Sequence, residues 1–226
     1  MLPYVVIHNQ ISLDGSSSLN DFTFNPELFY GLAGCYEADI FLVGSNTAKT
    51  GVEIFLDSVP IEEKSDMVKP TLGPDDKRAL WVIPDTRGVL QGLLHVYRRS
   101  EHCKDVLILV SKTTPQAYLD YLAAREFRYI EAGEDHVDLT RMMHIFAQQF
   151  QAKRVLTDSG GTLTSLLLEQ GLVDEISIVI APTLAGKNGV NLFQQLHTGE
   201  KPLQLQLLKS KTFESGEVHL VYKVLK

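Results

Sequence analysis

The chain has 226 residues, of which 44% are hydrophobic and 22% are charged, values typical of a folded globular protein rather than a disordered one. Its formal net charge of −7 repels phosphate backbones and anionic lipid surfaces. No apolar run approaches the about 20 residues of a transmembrane helix, and the amino terminus lacks the features of a signal peptide. We therefore expect a folded protein without nucleic acid or membrane partners.

The two cysteines, Cys35 and Cys103, are too few for a disulfide framework and show no zinc-binding spacing. Two cysteines without such spacing are typical of free thiols in a reducing compartment, so we expect a cytoplasmic protein. The seven histidines are scattered, and we expect His136 and His144 to lie at the surface rather than to bind a metal.

Apolar, β-rich runs alternate with helical segments along the chain, which predicts one α/β domain over residues 1–226. Strands are predicted at 3–9, 39–44, 79–84, 105–110, 153–157 and 174–181. Helices are predicted from Pro26, which suits a first helical position, and over 114–125 and 138–150. Two β-rich runs at 203–213 and 217–225 predict a terminal antiparallel hairpin. Residues 51–78 hold three prolines without clean periodicity, so a long surface loop is predicted there.

The segment from Leu156 to Gly186 carries the most information. An apolar strand brings Asp158 to its carboxyl end, Gly160 and Gly161 turn the chain, and a helix is predicted from Thr162 with Leu163, Leu166 and Leu167 facing inward. Free N–H groups and the positive end of a helix dipole attract an anion such as a pyrophosphate. The alternative is an ordinary strand–turn–helix connection whose glycines serve geometry alone.

Two further small-residue turns follow predicted strands, one from Gly44 to Thr47 and one from Asp85 to Gly88. Ligands of open α/β sheets bind at the carboxyl ends of the strands, so three such turns favour a shared crevice. Arg87 either meets an anionic group of a ligand or is solvated. Asp14 precedes a glycine, and we expect its carboxylate to bond backbone groups rather than a ligand.

Several common signatures are missing from the sequence: GxGxxG, GxxxxGK[ST], HExxH, GxSxG and the deaminase pair HxE with PCxxC. The sequence is nevertheless similar to the pyrimidine reductases of riboflavin biosynthesis. The resemblance rests on motifs in one order: ISLDG at 11–15, ADIFLVGSNT at 38–47, WVIPDTRG at 81–88, and DSGGTL at 158–163 running into LVDEISIVIAPTLAG.

The resemblance implies a dihydrofolate-reductase-like, three-layer α/β fold with a mostly parallel central sheet, helices on both faces and a C-terminal antiparallel hairpin. It also implies a homodimer that binds NADPH along Thr47, Thr86 and the turn from Gly160 through Thr162 and Leu163 to Leu166. A hydride would pass to the ribose C1 of a ribosylamino-pyrimidine phosphate, and Asp158, at a position where the family usually has Glu, would touch that substrate.

One departure concerns the substrate phosphate. After VGSNT the family usually continues to a substrate-binding arginine, whereas this chain has Lys49 and then no basic residue until Lys64. Lys49, Lys64 or Lys69 would have to substitute, although a lysine does not reproduce an arginine fork. Two functions therefore stay open: a reductase of a pyrimidine or a related heterocyclic metabolite, and a non-catalytic nucleotide-binding or regulatory protein on the same fold.

Overall fold

The structure is a computed structural model that describes residues 1–18, 20–73, 75–199 and 201–226. In this part of the chain the strands are β1 Tyr4–Ser12, β2 Ile40–Leu42, β3 Ala79–Pro84, β4 Cys103–Val110, β5 Arg128–Glu131, β6 Arg154–Thr157, β7 Glu175–Ala181, β8 Leu205–Thr212 and β9 Val218–Val224. The α-helices are α1 Pro26–Gly34, α2 Ser45–Phe55, α3 Leu94–Arg98, α4 Gln116–Ala124, α5 Leu139–Gln149 and α6 Gly161–Glu169. Short 3₁₀ helices span Lys64–Met67 and Gly186–Asn188.

The chain divides into two compact units that alternate along the sequence. Unit 1 comprises residues 1–2 and 38–153, and unit 2 comprises residues 3–37 and 154–226. The single domain expected from the sequence stays a prediction.

The sheet of unit 1 has the strand order β5-β4-β3-β2, and its neighbours pair in parallel. Val106 to Val110 of β4 are buried, as expected for an interior parallel strand covered on both faces. The apolar face of α5 also lies in this core, where Met142, Met143 and Phe146 are fully buried. That stripe therefore stabilises the fold by burying apolar surface.

The sheet of unit 2 has the strand order β6-β1-β7-β9-β8. Strands β6, β1 and β7 pair in parallel, whereas β9 pairs antiparallel with both β7 and β8. The β8–β9 connection turns at Gly216, whose φ of 96° is the left-handed conformation that glycine adopts without strain. The mostly parallel α/β architecture and the C-terminal hairpin are thus confirmed.

Some local predictions are wrong or incomplete. Strand β5 and helix α3 were not predicted, because each is short, with four and five residues respectively. Leu166 is 42% exposed and does not face inward with Leu167, since the inward face of α6 instead includes Leu168.

The predicted loop at 51–78 is more ordered than its composition suggests. Helix α2 continues to Phe55, and a 3₁₀ turn buries Asp66. Both carboxylate oxygens of Asp66 accept hydrogen bonds from Arg99, at 2.8 and 2.5 Å. Glu62 is held in the same bidentate way by Arg125, at 2.8 and 2.9 Å. These arginines directly follow α3 and α4, far along the chain, so only tertiary structure fixes this loop.

Candidate functional site

Unit 1 brings two of the predicted turns to one edge of its sheet. Strands β2 and β3 are parallel neighbours, so the segments that follow them emerge side by side. The first of these segments is the first turn of α2, which begins at Ser45 and contains half-buried Thr47. The second contains half-buried Thr86 and exposed Arg87. The three residues assigned to cofactor binding in this unit therefore share a strand-end edge.

The turn after β3 is organised by Asp85, which sequence reasoning did not single out. Its buried carboxylate accepts hydrogen bonds from the backbone N–H groups of Val89 and Leu90, at 2.9 and 3.0 Å, and from the Tyr118 hydroxyl at 3.0 Å. Gly88 has φ 72°, and a Cβ there would lie 2.8 Å from the Tyr118 ring. The pattern Asp-x-x-Gly after a strand was the available signal for this turn. Its rigidity fixes where Thr86 and Arg87 emerge.

Arg87 has no salt-bridge partner within the described ranges. The structure therefore leaves its guanidinium available to a ligand or to water, the two alternatives open from the sequence.

Unit 2 contains the other predicted residues, in the connection from β6 to α6. Helix α6 begins at Gly161 with Gly160 as N-cap, one residue before the predicted start at Thr162. No side chain in the part of the chain that the structure describes caps this helix end. Uncapped amides at the start of a nine-residue helix form a suitable place for an anionic group.

The missing Cβ of Gly161 has a structural reason. A Cβ built there would lie 2.9 Å from the backbone oxygen of Leu192, and φ is not in the left-handed region. Leu192 is itself buried, and its N–H donates to the Gly15 carbonyl at 3.1 Å. The close approach at Gly161 is therefore to the segment around Leu192. Leu163 is half-buried. Thr162 is exposed, and its hydroxyl donates to the side-chain oxygen of Gln195 at 2.8 Å.

Asp158 lies between β6 and this turn. Its Oδ1 is fully buried and has no hydrogen-bond partner among the described residues. Burial raises the pKa of the Asp158 carboxyl to about 7, because desolvation penalises the charged form. Its charge in turn helps to raise the pKa of the nearby Tyr30 phenol on α1, after the larger effect of that phenol's own burial. A strongly perturbed carboxyl at a strand end is a candidate functional group.

Asn9 on β1 is a second polar residue that sequence reasoning missed. Its side-chain amide donates to the backbone oxygens of Asp158 and Ser159, at 2.9 and 3.4 Å. Its Oδ1 is buried and finds no donor in the part of the chain described. An asparagine within the run VVIHNQIS was the available signal.

His8, the neighbour of Asn9 on β1, is linked through Ser177 to His219 on β9. His8 Nε2 is 3.1 Å from the Phe29 carbonyl, which only accepts, so this nitrogen carries the proton. His8 Nδ1 then accepts from Ser177, whose oxygen accepts from His219 Nε2, each at 2.8 Å. Burial lowers the pKa of His8 to about 4 and also lowers that of His219. Both imidazoles are therefore neutral near pH 7.

Asp14 binds backbone groups, as expected. Its two carboxylate oxygens accept from the N–H groups of Ala185 and Gly186, at 2.9 and 2.8 Å, and from the Ser12 hydroxyl at 2.6 Å. These bonds, that of Ser12 first, lower its pKa to about 2. Asp14 thus joins the loop after β1 to the loop after β7.

The lysines considered as a phosphate clamp are exposed. Lys49 lies on α2, 3.8 Å from Glu53, so its charge is partly neutralised by a neighbour one helical turn away. Lys64 lies between Ile61 and Asp66, which both bond Arg99, and the N–H of Lys69 donates to Glu126 at 2.9 Å. His136 and His144 are exposed, as predicted. Within the described ranges, no three His, Cys, Asp or Glu side chains are grouped to hold a metal ion.

The family signature of the RibD C-terminal domain matches residues 3–219 of the chain. The chain belongs to the RibD C-terminal domain family. This membership confirms the resemblance seen in the sequence motifs, and it supports an oxidoreductase. No helix among the residues with assigned structure has the length and apolar character needed to cross a membrane.

Individual proteins and solved structures are distantly similar to this chain. The 2,5-diamino-6-ribosylamino-4(3H)-pyrimidinone 5′-phosphate reductase of Archaeoglobus fulgidus is 26% identical over 197 residues, which cover 82% of this chain and 83% of that protein. A pyrimidine reductase-like protein of Corynebacterium diphtheriae has a TM-score of 0.75 at 16% identity, with 99% of this chain and 92% of that chain covered.

Acinetobacter baumannii RibD has a TM-score of 0.69 at 20% identity. The match covers 99% of this chain but 58% of the RibD chain. At these identities the solved structures establish the fold alone, and with family membership they confirm the expected dihydrofolate-reductase-like class.

Proposed function

We propose that this protein is an NADPH-dependent reductase that transfers a hydride to the ribose C1 of a ribosylamino-pyrimidine phosphate in riboflavin biosynthesis. Family membership and the name of the Archaeoglobus fulgidus relative support this function. The observation that carries it in this chain is Asp158, a buried carboxyl with an unpaired oxygen directly before the uncapped start of α6.

The cofactor is proposed to bind along Thr47, Thr86, Arg87 and the turn from Gly160 through Gly161, Thr162 and Leu163 to Leu166. The uncapped amides of α6 suit a pyrophosphate, and exposed Arg87 suits the 2′-phosphate that distinguishes NADPH from NADH. When bound, NADPH supplies the hydride, while the protein orients the reactants and excludes water.

Asp158 is proposed to contact the substrate. With its pKa raised to about 7, this carboxyl exchanges its proton near neutral pH, unlike an ordinary aspartate. The protonated form donates a hydrogen bond to a substrate oxygen or nitrogen, and the ionised form accepts one. A carboxyl poised in this way is suited to move a proton during reduction, since general acids work best with a pKa near the working pH.

The second candidate function is nucleotide binding without catalysis. It is favoured by Lys49, because a lysine does not supply an arginine fork for a substrate phosphate. The charge of Lys49 is also partly neutralised by Glu53, at 3.8 Å. Tight NADPH binding without turnover of any tested substrate would support it.

The deciding experiment follows NADPH oxidation by its absorbance with three acceptors. These are 2,5-diamino-6-ribosylamino-4(3H)-pyrimidinone 5′-phosphate, its deaminated counterpart and dihydrofolate. We expect turnover with one of the two pyrimidines, and a specificity constant about tenfold to a hundredfold lower in Asp158→Asn, as for the loss of one hydrogen bond to a charged group. Turnover with dihydrofolate alone, or undiminished turnover in the variant, would contradict the proposal.

We also propose a cytoplasmic homodimer. Both cysteines are free, which suits a reducing compartment. Strand β8 lies at the edge of its sheet with all eight residues exposed, including Leu205, Leu207 and Leu208, and such an edge is a surface for association. Light scattering at micromolar concentration should give twice the chain mass of 25.2 kDa. A monomer mass would contradict the dimer.

A further inference from the structure

Asn9 occupies an unusual position in the core of unit 2. It is 6% exposed, and in the sheet it pairs with Ile178 of β7. Backbone pairing does not require a polar side chain at this position. The Oδ1 atom of Asn9 is buried and accepts no hydrogen bond from the described residues. An unpaired buried acceptor is costly, so a residue that retains one calls for an explanation.

The orientation of the Asn9 amide is fixed by its partners. Nδ2 points to the backbone oxygens of Asp158 and Ser159, which only accept hydrogen bonds. Rotating the amide by half a turn would place Oδ1 against these two oxygens. The unpaired Oδ1 is therefore a consequence of the contact with the turn.

The turn that Asn9 contacts is also bonded from β6 and from α6. Thr164 donates its hydroxyl to the Ser159 oxygen at 2.8 Å, and the Thr157 hydroxyl donates to that of Ser159 at 2.9 Å. The contact of Asn9 with the Asp158 oxygen comes from β1 instead. Asn9 therefore ties the backbone of Asp158 to β1, the strand that pairs with β6.

We propose that Asn9 is a positioning residue that holds Asp158 at the end of β6 in the place where its Oδ1 is buried. Without the amide, the Asp158 backbone oxygen would be left unpaired, and the turn would shift to hydrate it. The carboxyl of the same residue would then gain access to water. The kinetic part of this proposal rests on the proposed reductase function, whereas the titration of Asp158 does not.

The test compares Asn9→Leu and Asn9→Ala with Gln10→Met in the full chain. Gln10 is the next residue of β1 and is equally buried, but its side chain bonds Thr23 and Asn25, both at 3.3 Å, and not the turn. Carbon NMR follows the Asp158 carboxyl, assigned by its loss in Asp158→Asn. We expect the Asp158 titration midpoint to fall from about 7 by at least roughly one pH unit in both Asn9 variants and to stay unchanged in Gln10→Met.

In the kinetic measurements, the Asn9 variants should have a specificity constant about tenfold lower than the wild type. The pH profile of this constant should move to lower pH, because the Asp158 carboxyl titrates at lower pH. A folded Asn9→Ala variant whose Asp158 titrates as in the wild type would overturn the proposal. Failure of both Asn9 variants to fold while Gln10→Met folds would also overturn it, because Asn9 would then serve the core as a whole. A shifted titration in a protein without reductase activity would support the positioning role and refute the proposed function.

Discussion

Replacing Asp158 by Asn should make the protein more stable at high pH while it removes the proposed substrate contact. The carboxyl has an ordinary pKa of 3.8 and a pKa of about 7 in the fold. Between these values the folded state binds more protons than the unfolded state, so stability falls as pH rises through this range. Asparagine does not titrate, and Asp158→Asn loses this dependence.

The gap between about 7 and 3.8 corresponds to about 4 kcal/mol of lost stability above pH 7, at about 1.4 kcal/mol for each pH unit. Asp158 as a whole residue is half-buried, so local hydration reduces this figure, and we expect about 2 to 4 kcal/mol. The quantity to compare is the change between pH 4 and pH 8 in the stability difference of the two proteins. A constant effect of the new amide cancels in this comparison.

Urea unfolding at a series of pH values gives the free energies of unfolding by linear extrapolation. The free energy of unfolding of Asp158→Asn, relative to that of the wild type, should increase progressively from pH 4 to pH 8. If the stability difference is the same at pH 4 and pH 8, Asp158 titrates normally, and the argument for its proton at neutral pH fails.

Three further outcomes are expected. His8→Gln should lose the acid sensitivity that His8 contributes. The pKa of His8 is about 4, below the ordinary 6.5, so the contribution of His8 to stability falls by about 3 kcal/mol as the pH drops from 6.5 to 4, opposite in sign to that of Asp158. An unchanged pH dependence of unfolding in the variant would contradict this. Arg87→Ser should weaken NADPH binding about tenfold to a hundredfold and leave NADH binding unaltered, measured by calorimetry; equal losses for both cofactors would place Arg87 away from the 2′-phosphate. Gly161→Ala should lower the free energy of unfolding by about 1 to 3 kcal/mol, because the new Cβ would meet the Leu192 oxygen. The control Gly31→Ala on α1 places its Cβ in open space and should be neutral or stabilising. Similar effects at both glycines would show that the Leu192 contact does not cause the loss of stability.

The sequence by itself determined the elements whose signals are local. The apolar runs of β1, β4 and β7 are long enough to be recognised by composition, and Pro26 marks the first turn of α1. The strand, turn and helix around Asp158 were also predictable, because each signal lies within a few residues of the next. Short elements such as β5 were missed, since four residues do not establish a period.

Tertiary structure decided the chemistry of these positions. Asp158 is a carboxyl with a raised pKa only because the fold removes it from water, and its backbone partner Asn9 lies 149 residues away in the sequence. Gly161 is small because the Leu192 oxygen approaches it. The pKa of Asp14 is lowered to about 2 by the Ser12 hydroxyl and by amides of the loop after β7. A local pattern reports which residues are neighbours along the chain, whereas burial and hydrogen-bond partners depend on segments that meet only when the sheet has formed.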